Sequence, residues 1–166
     1  CVGNFGDICL MKEKLMDLLV KHECGGVVSK YLEAYPDPAH GWRVPTIGIG
    51  TITYPNNKRV KKGDSITEDQ AYEYASHYVQ KIILPHLSKI PDWGRMNTNQ
   101  KVSLISFAYN LGNFYGTPGF NTISSALRDK RWGDVPNAIL LYNKADGVKM
   151  KGLENRREDE ANLFKS

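Results

Sequence analysis

At 166 residues the chain has the length of one globular domain and can bury a hydrophobic core. Its 41% hydrophobic and 24% charged residues are ordinary for a globular protein, and no apolar run approaches the roughly 20 residues of a membrane-spanning helix. The net charge of +4 is mild, the basic residues form no dense block, and no nucleic-acid-binding motif is present. Composition therefore argues against a membrane-spanning or a nucleic-acid-binding protein.

Three cysteines leave at least one thiol unpaired. A continuous helix between Cys9 and Cys24 would hold them on the order of 20 Å apart, too far for a disulfide. A disulfide bond between Cys1 and Cys9 would restrain only the N-terminal end of the chain. The sequence has no CxxC and no His/Cys pattern with zinc spacing, so we expect free thiols, no metal site and no cofactor.

The first predicted element is a helix over Leu10–His22, whose leucines lie near one face. Gly25 and Gly26 are expected to end it, which places Glu23 at the negative end of the helix macrodipole. An ionised carboxylate is disfavoured at that end. Glu23 is therefore a candidate proton donor, with an ordinary helix-end glutamate as the alternative interpretation.

Three β-prone runs follow, at Val27–Ala34, Thr46–Thr53 and Lys58–Val60, and together they predict a small antiparallel sheet. Asp37 lies between the first two runs, in a turn flanked by prolines. The step Gly48-Ile49-Gly50 lacks the third glycine and the following helix of a dinucleotide-binding motif. Its glycines are interpreted instead as points of close backbone approach.

The second half of the chain is predicted to be almost entirely helical. Thr67 and Gln70 form a capping-box pattern that opens a long helix to about Leu84, before Pro85. Further helices are predicted over Thr98–Leu111, Thr122–Lys130, Pro136–Asn143 and Leu153–Phe164. This order predicts a single α+β domain with a small antiparallel sheet lobe (1–66), a long connecting helix (67–85) and a larger helical lobe (86–166).

Short motifs recur in a fixed order along nearly the whole chain. They are Ala34-Tyr35-Pro36-Asp37-Pro38, Gly41-Trp42, Thr46-Ile47-Gly48-Ile49-Gly50, Asn99-Gln100, Ser106–Gly112, Gly119-Phe120, Lys130-Arg131-Trp132, and Gly152-Leu153 followed by Arg156, Arg157, Glu160 and Phe164. In this order they resemble the phage-type lysozymes, the endolysin muramidases of glycoside hydrolase family twenty-four. The resemblance implies a lysozyme-like fold and a lysozyme that cleaves peptidoglycan.

Carried over to this sequence, the resemblance implies that Glu23 is the general acid that protonates the glycosidic oxygen. Asp37 would orient an attacking water and stabilise developing positive charge, with Thr46 Oγ1 helping to hold that water. The reaction would invert the configuration of the β-1,4 bond between N-acetylmuramic acid and N-acetylglucosamine. This activity would serve host cell lysis.

The resemblance also implies substrate-contacting residues and partners. Tyr109 and Asn110 would line the cleft from the helical lobe, and Tyr35 would support the site. The expected partner is the peptidoglycan glycan strand, bound by a monomer with no stable membrane association and no nucleic-acid partner. The protein would stay in the host cytoplasm until its release to the periplasm or cell wall. Export is the alternative, because the chain begins with Cys1 rather than Met and an N-terminal segment could have been removed.

Two positions depart from the family pattern. Cys24 follows Glu23 where the family usually has Gly, and the segment Cys24–Glu33 is several residues longer than usual. Glu33 is consequently a rival for the acid. Thr51 stands where many relatives carry His. The alternative function is therefore a catalytically impaired lysozyme-fold module that binds the cell wall or a protein partner.

Overall fold

The computed structural model describes residues 5–166, with side chains from Ile8 onward. The chain forms two compact units. The sheet unit is Met16–Lys81, and the helical unit combines the residues up to Leu15 with Ile82–Ser166. The division into lobes predicted from the sequence, at residues 66 and 85, stays a prediction.

Helix α1 spans Phe5–Glu23 and contributes to both units. The helix predicted over Leu10–His22 is confirmed, and it begins earlier than expected. Its buried face within the sheet unit includes Leu19, which has no exposed surface. Through this face, the helix that carries Glu23 packs into the core of the sheet unit.

The predicted small antiparallel sheet is confirmed, but its strands differ from those predicted. Strand β1 is Tyr35–Asp37 and strand β2 is Gly41–Thr46. The register shifts after Pro36, so that the end of β1 folds tightly onto the start of β2. The register pairs are Tyr35 with Thr46, Pro36 with Pro45, and Asp37 with Gly41.

The first predicted strand, Val27–Ala34, is wrong. A 3-10 helix occupies Val28–Tyr31, and Glu33 forms an isolated bridge with Ser65. Val28 is buried while its neighbours are exposed, which a single helical turn achieves without strand pairing. The β-branched residues of this run therefore do not indicate an extended backbone. One of them, Val28, is buried from within a helical turn.

The second and third predicted strands are also corrected. Only Thr46 of the run Thr46–Thr53 belongs to β2, and the following residues turn back so that Ile47 pairs with Thr51. Gly48 and Gly50 have φ angles of 59° and 75°, which end a strand. In the run Lys58–Val60, Arg59 forms only an isolated bridge, with Thr53.

The glycine turn that replaces the predicted strand is closely packed. A Cβ atom added at Gly48 would lie 3.0 Å from the Cβ of Ala71 and 3.1 Å from Cδ1 of Ile66. The interpretation of these glycines as points of close approach is confirmed at Gly48. Ile47 and Ile49 on either side of it are fully buried, so the turn is part of the core of the sheet unit.

The helical run after Thr67 is confirmed, with both hydrogen bonds of the Thr67–Gln70 capping box present. It comprises α2 (Glu68–Tyr78), a π-helical segment (Val79–Ile83) and α3 (Leu84–Leu87). The predicted end at Leu84 is wrong, since helical structure continues through Pro85. Proline is tolerated there because it lies in the first turn of α3, after the change from π-helical to α-helical hydrogen bonding.

The predicted helices of the second half are all confirmed; Thr98–Leu111 has the predicted ends, and the ends of the other three are shifted. They are α4 (Thr98–Leu111), α5 (Asn121–Arg128), α6 (Val135–Leu140) and α7 (Lys151–Lys165). A hairpin of β3 (Lys144–Ala145) and β4 (Val148–Lys149) was not predicted. Its turn residues, Asp146 and Gly147, both have positive φ, as a two-residue type I′ turn requires.

The core of the helical unit includes buried charges. Arg157 and Glu160 on α7 are fully buried, with 2.7 Å between Nε and Oε2. The Ser106 hydroxyl on α4 donates a hydrogen bond of 2.7 Å to Oε1 of Glu160. The Arg157 guanidinium lies 4.9 Å from the centre of the Phe107 ring. These contacts join α7 to α4 and satisfy charges that would otherwise be costly to bury.

Candidate active site

Glu23 is the last residue of α1 and is half-buried. The helix ends there because the backbone N–H groups of Cys24 and Gly26 both donate to the carbonyl of Val20, at 3.0 and 3.1 Å. Gly25 and Gly26 have φ angles of 56° and 90°. A helix end of this kind favours glycine, so the predicted stop is confirmed.

The residue after Glu23 attaches the helix end to the glycine turn. The Cys24 thiol is buried and donates to the carbonyl oxygen of Gly48, 3.5 Å away. Burial and the nearby charge of Glu23 raise the pKa of Cys24 to about 11, so the thiol stays protonated near neutral pH. The expectation of free thiols is confirmed at Cys24 and wrong at Cys9, which is disulfide-bonded.

Tyr35 reaches the same carbonyl from strand β1. Its hydroxyl donates to the oxygen of Gly48 at 3.3 Å. Burial, and then the neighbouring Cys24 and Glu23, raise the pKa of Tyr35, while a hydrogen bond with the Gly50 backbone opposes them. The Tyr35 hydroxyl is therefore a neutral donor within electrostatic range of the Glu23 carboxyl group.

Asp37 lies at the end of β1, about 7 Å along the strand from Tyr35. Its Oδ1 accepts hydrogen bonds from the backbone N–H groups of Ala39 and His40, at 2.9 and 2.8 Å. The Nδ1 atom of His40 lies 2.9 Å from the same oxygen. Partial burial opposes ionisation, but the bonds from His40 and Ala39 prevail and lower the pKa of Asp37. No described residue donates to Oδ2, so that oxygen can act on a ligand.

Thr46 is the cross-strand partner of Tyr35 and is buried. Its Oγ1 donates a hydrogen bond to the carbonyl of Val44 at 3.1 Å. Because the hydroxyl proton is donated to Val44, the hydroxyl oxygen can still accept a hydrogen bond from another group. The rival acid, Glu33, is exposed, and its backbone forms an isolated bridge with Ser65.

The structure brings four of the six predicted site residues into the sheet unit: Glu23, Tyr35, Asp37 and Thr46. Tyr109 and Asn110 belong to the helical unit, in the last turn of α4, and both are half-buried. The Oδ1 atom of Asn110 is buried, and no described residue donates a hydrogen bond to it.

Sequence reasoning missed two contributors to this site. His40 was not singled out, although a His three residues after an Asp in a proline-flanked turn is a signal that could have found it. Cys24 departs from the family pattern, and its contact with Gly48, 24 positions away, has no local sequence signal.

Within residues 5–166, no group of three or more His, Cys, Asp and Glu side chains is placed to hold a metal ion. None of the helices in that range has the length and apolar character needed to cross a membrane.

Comparison with known proteins defines the class. The family model for phage lysozyme matches residues 25–160, beginning two positions after Glu23. The endolysin of Salmonella phage P22 is 31% identical over 139 residues, covering 81% of this chain and 87% of that protein. The SAR-endolysin of Pseudomonas phage phiKMV is 30% identical over 119 residues, covering 68% and 70%.

A solved structure supports the same conclusion. An endolysin from the Escherichia coli O157:H7 phage FAHEc1 superposes with a TM-score of 0.72 at 30% identity, covering 91% of this chain and 90% of that one. The fold is therefore the α+β lysozyme fold. The chain belongs to the phage lysozyme family, and it is a peptidoglycan-lytic glycoside hydrolase, a muramidase.

Proposed function

We propose that this lysozyme hydrolyses the β-1,4 bond between N-acetylmuramic acid and N-acetylglucosamine with inversion, and that it serves host cell lysis. The observation that carries the proposal is the contrast between two carboxyl groups. Asp37 receives three hydrogen-bonding contacts on one oxygen and has a lowered pKa, which suits a carboxylate. Glu23, half-buried as the last residue of α1, is the second carboxyl group and is the one proposed to donate the proton.

In the proposed reaction the Glu23 carboxylic acid gives its proton to the glycosidic oxygen as the bond from that oxygen to the anomeric carbon breaks. A water attacks the anomeric carbon from the opposite face, and Asp37 accepts a proton from that water. The Thr46 hydroxyl accepts a hydrogen bond from the same water and fixes its direction, since its own proton is donated to Val44. One water is consumed, and the products are one glycan fragment with a new hydroxyl group and one with a new reducing end.

Residues of both units have proposed roles in binding the glycan. Tyr109 and Asn110, both half-buried in the last turn of α4, are proposed to contact the sugar chain. Tyr35 is proposed to support the acid rather than to touch the sugar, because its hydroxyl is bound to Gly48. We further propose that the enzyme acts as a monomer, without stable membrane association, after release from the host cytoplasm to the periplasm or wall.

Digestion of purified peptidoglycan tests the reaction. We expect new reducing ends on N-acetylmuramic acid, and the α-anomer as the first product in a proton NMR time course. The variant Glu23→Gln keeps the shape of the side chain and removes the acidic proton, so we expect at least about a hundredfold loss of activity. Glu33→Gln is the matched control and should clear wall suspensions like the wild type.

The alternative is a catalytically impaired module that binds the cell wall. It is favoured by the unusual segment Cys24–Glu33 and by a family match that begins after Glu23. A wall pull-down that retains the protein while no reducing ends are released would support this alternative and contradict the proposed activity.

A further inference from the structure

The region around Gly48 contains two side-chain donors whose shared target the muramidase reaction does not explain. The Cys24 thiol and the Tyr35 hydroxyl both donate to the carbonyl oxygen of Gly48, at 3.5 and 3.3 Å. They arrive from different elements, Cys24 from the end of α1 and Tyr35 from β1. We call this three-residue arrangement the Gly48 clamp.

The glycine turn is a rigid support for the clamp. The N–H of Gly48 donates to the carbonyl of Tyr31 at 2.7 Å, and Ile47 and Thr51 exchange two backbone hydrogen bonds of 2.8 and 2.9 Å across the turn. Gly48 also lies against Ala71 with no space for a Cβ atom. The acceptor oxygen is therefore held in place independently of Cys24 and Tyr35.

The backbone at the helix end bonds locally: the N–H groups of Cys24 and Gly26 donate to the carbonyl of Val20, and the N–H of Val27 donates to the carbonyl of Cys24. Gly25 and Gly26 are exposed, have positive φ, and separate Cys24 from the next buried residue, Val28. Cys24 is the buried residue directly after Glu23. Its thiol supplies a tertiary hydrogen bond to the turn at the point where the acid leaves the helix.

We infer that Cys24 and Tyr35 are positioning residues for Glu23, and that together, through the Gly48 carbonyl, they fix the helix end that carries the acid. The inference rests on the proposed role of Glu23. Because the two donors share one acceptor, either one alone keeps that buried carbonyl hydrogen-bonded. Loss of both leaves it unpaired and releases the helix end.

A double-mutant cycle tests the clamp. Initial rates over a range of peptidoglycan concentrations give apparent kcat and KM for Cys24→Ala, Tyr35→Phe and the double variant. We expect each single variant to lose less than about threefold in kcat, and the double variant about tenfold or more with KM little changed. Cys24→Ser with Tyr35→Phe restores one donor and should recover most of the lost kcat.

Tyr54→Phe is the matched control, because it removes another tyrosine hydroxyl bond of the sheet unit, to Asp64 Oδ2 at 2.8 Å. It should leave kcat unchanged. Purely additive effects in the cycle, or no rescue by serine, would overturn the clamp.

Two further outcomes are separable. If the double variant does not fold, Cys24→Ser with Tyr35→Phe decides: a folded protein with kcat close to that of the wild type supports the clamp, and one that does not fold, or that loses about tenfold or more in kcat, contradicts it. If Glu23→Gln is fully active, the proposed acid is wrong regardless of the cycle. If Glu23→Gln is inactive and the double-mutant cycle is additive, the clamp proposal is wrong while the proposed acid stands.

Discussion

The Nδ1 atom of His40 lies 2.9 Å from Oδ1 of Asp37, in the turn that joins β1 to β2. Two backbone N–H groups of the same turn donate to that oxygen, so three contacts converge on one side of the carboxylate. The arrangement leaves Oδ2 for a ligand and favours the ionised form of Asp37. The turn thus acts both as the hairpin connection and as the electrostatic support of the proposed base.

Removing the imidazole should narrow the pH range of activity on the acid side. In His40→Ala the backbone bonds remain, but the side-chain contact that lowers the pKa of Asp37 is lost, so this pKa rises toward its ordinary value. Because Asp37 must be ionised to act, the acid limb of the profile of kcat/KM against pH should move to higher pH. The control His77→Ala changes a histidine on α2 and should leave the acid limb of the profile in place. An acid limb that does not move in His40→Ala would refute the prediction.

The charge of Asp37 can be separated from its role in the turn. Asp37→Asn keeps an oxygen that can accept from Ala39 and His40 but removes the negative charge. We expect activity to fall by at least about a hundredfold and the thermal midpoint to stay close to that of the wild type. Asp37→Ala removes the acceptor as well and should also lower the midpoint. Full activity in Asp37→Asn would rule out the proposed base.

The close packing of Gly48 makes a stability prediction. Gly48→Ala combines an unfavourable φ of 59° with a Cβ only 3.0 Å from that of Ala71, so we expect a loss of about 2–4 kcal/mol in the free energy of unfolding. Gly63→Ala is the matched control, since it also has positive φ but meets nothing within 4 Å. Urea unfolding should show a smaller loss of unfolding free energy for Gly63→Ala than for Gly48→Ala. Equal losses would show that the close packing at Gly48 adds nothing to the cost of its backbone conformation.

Two arginine–carboxylate pairs with the same spacing should differ sharply in energy. Glu160→Ala leaves the buried guanidinium of Arg157 uncompensated, and we expect a loss of about 3–5 kcal/mol. In the exposed pair of Arg131 and Asp134, Asp134→Ala should cost less than about 1 kcal/mol. Chemical unfolding of the two variants checks the contrast, and a Glu160→Ala protein as stable as Asp134→Ala would contradict it.

Several elements could be predicted because their signals are local. The Thr67–Gln70 capping box needs only residues three apart, and both of its hydrogen bonds form as expected. The glycines after Glu23 end α1 through bonds that reach back six positions at most. Periodic apolar residues located α4 in the same way, because a helical face repeats within four residues. The Asp146–Gly147 hairpin turn was equally local and was overlooked.

Sequence by itself thus predicted the positions of most helices, the Thr67–Gln70 cap, the glycine stop after Glu23, the family, and the candidate acid and base. It could not determine that Gly48 and Gly50 form a turn rather than a strand, because that depends on Ala71 and Ile66 packing against the turn from elsewhere in the chain. Nor could it reveal that Cys24 and Tyr35 share one acceptor. Such contacts join residues distant in sequence, and only the burial of both partners in one core decides whether they meet.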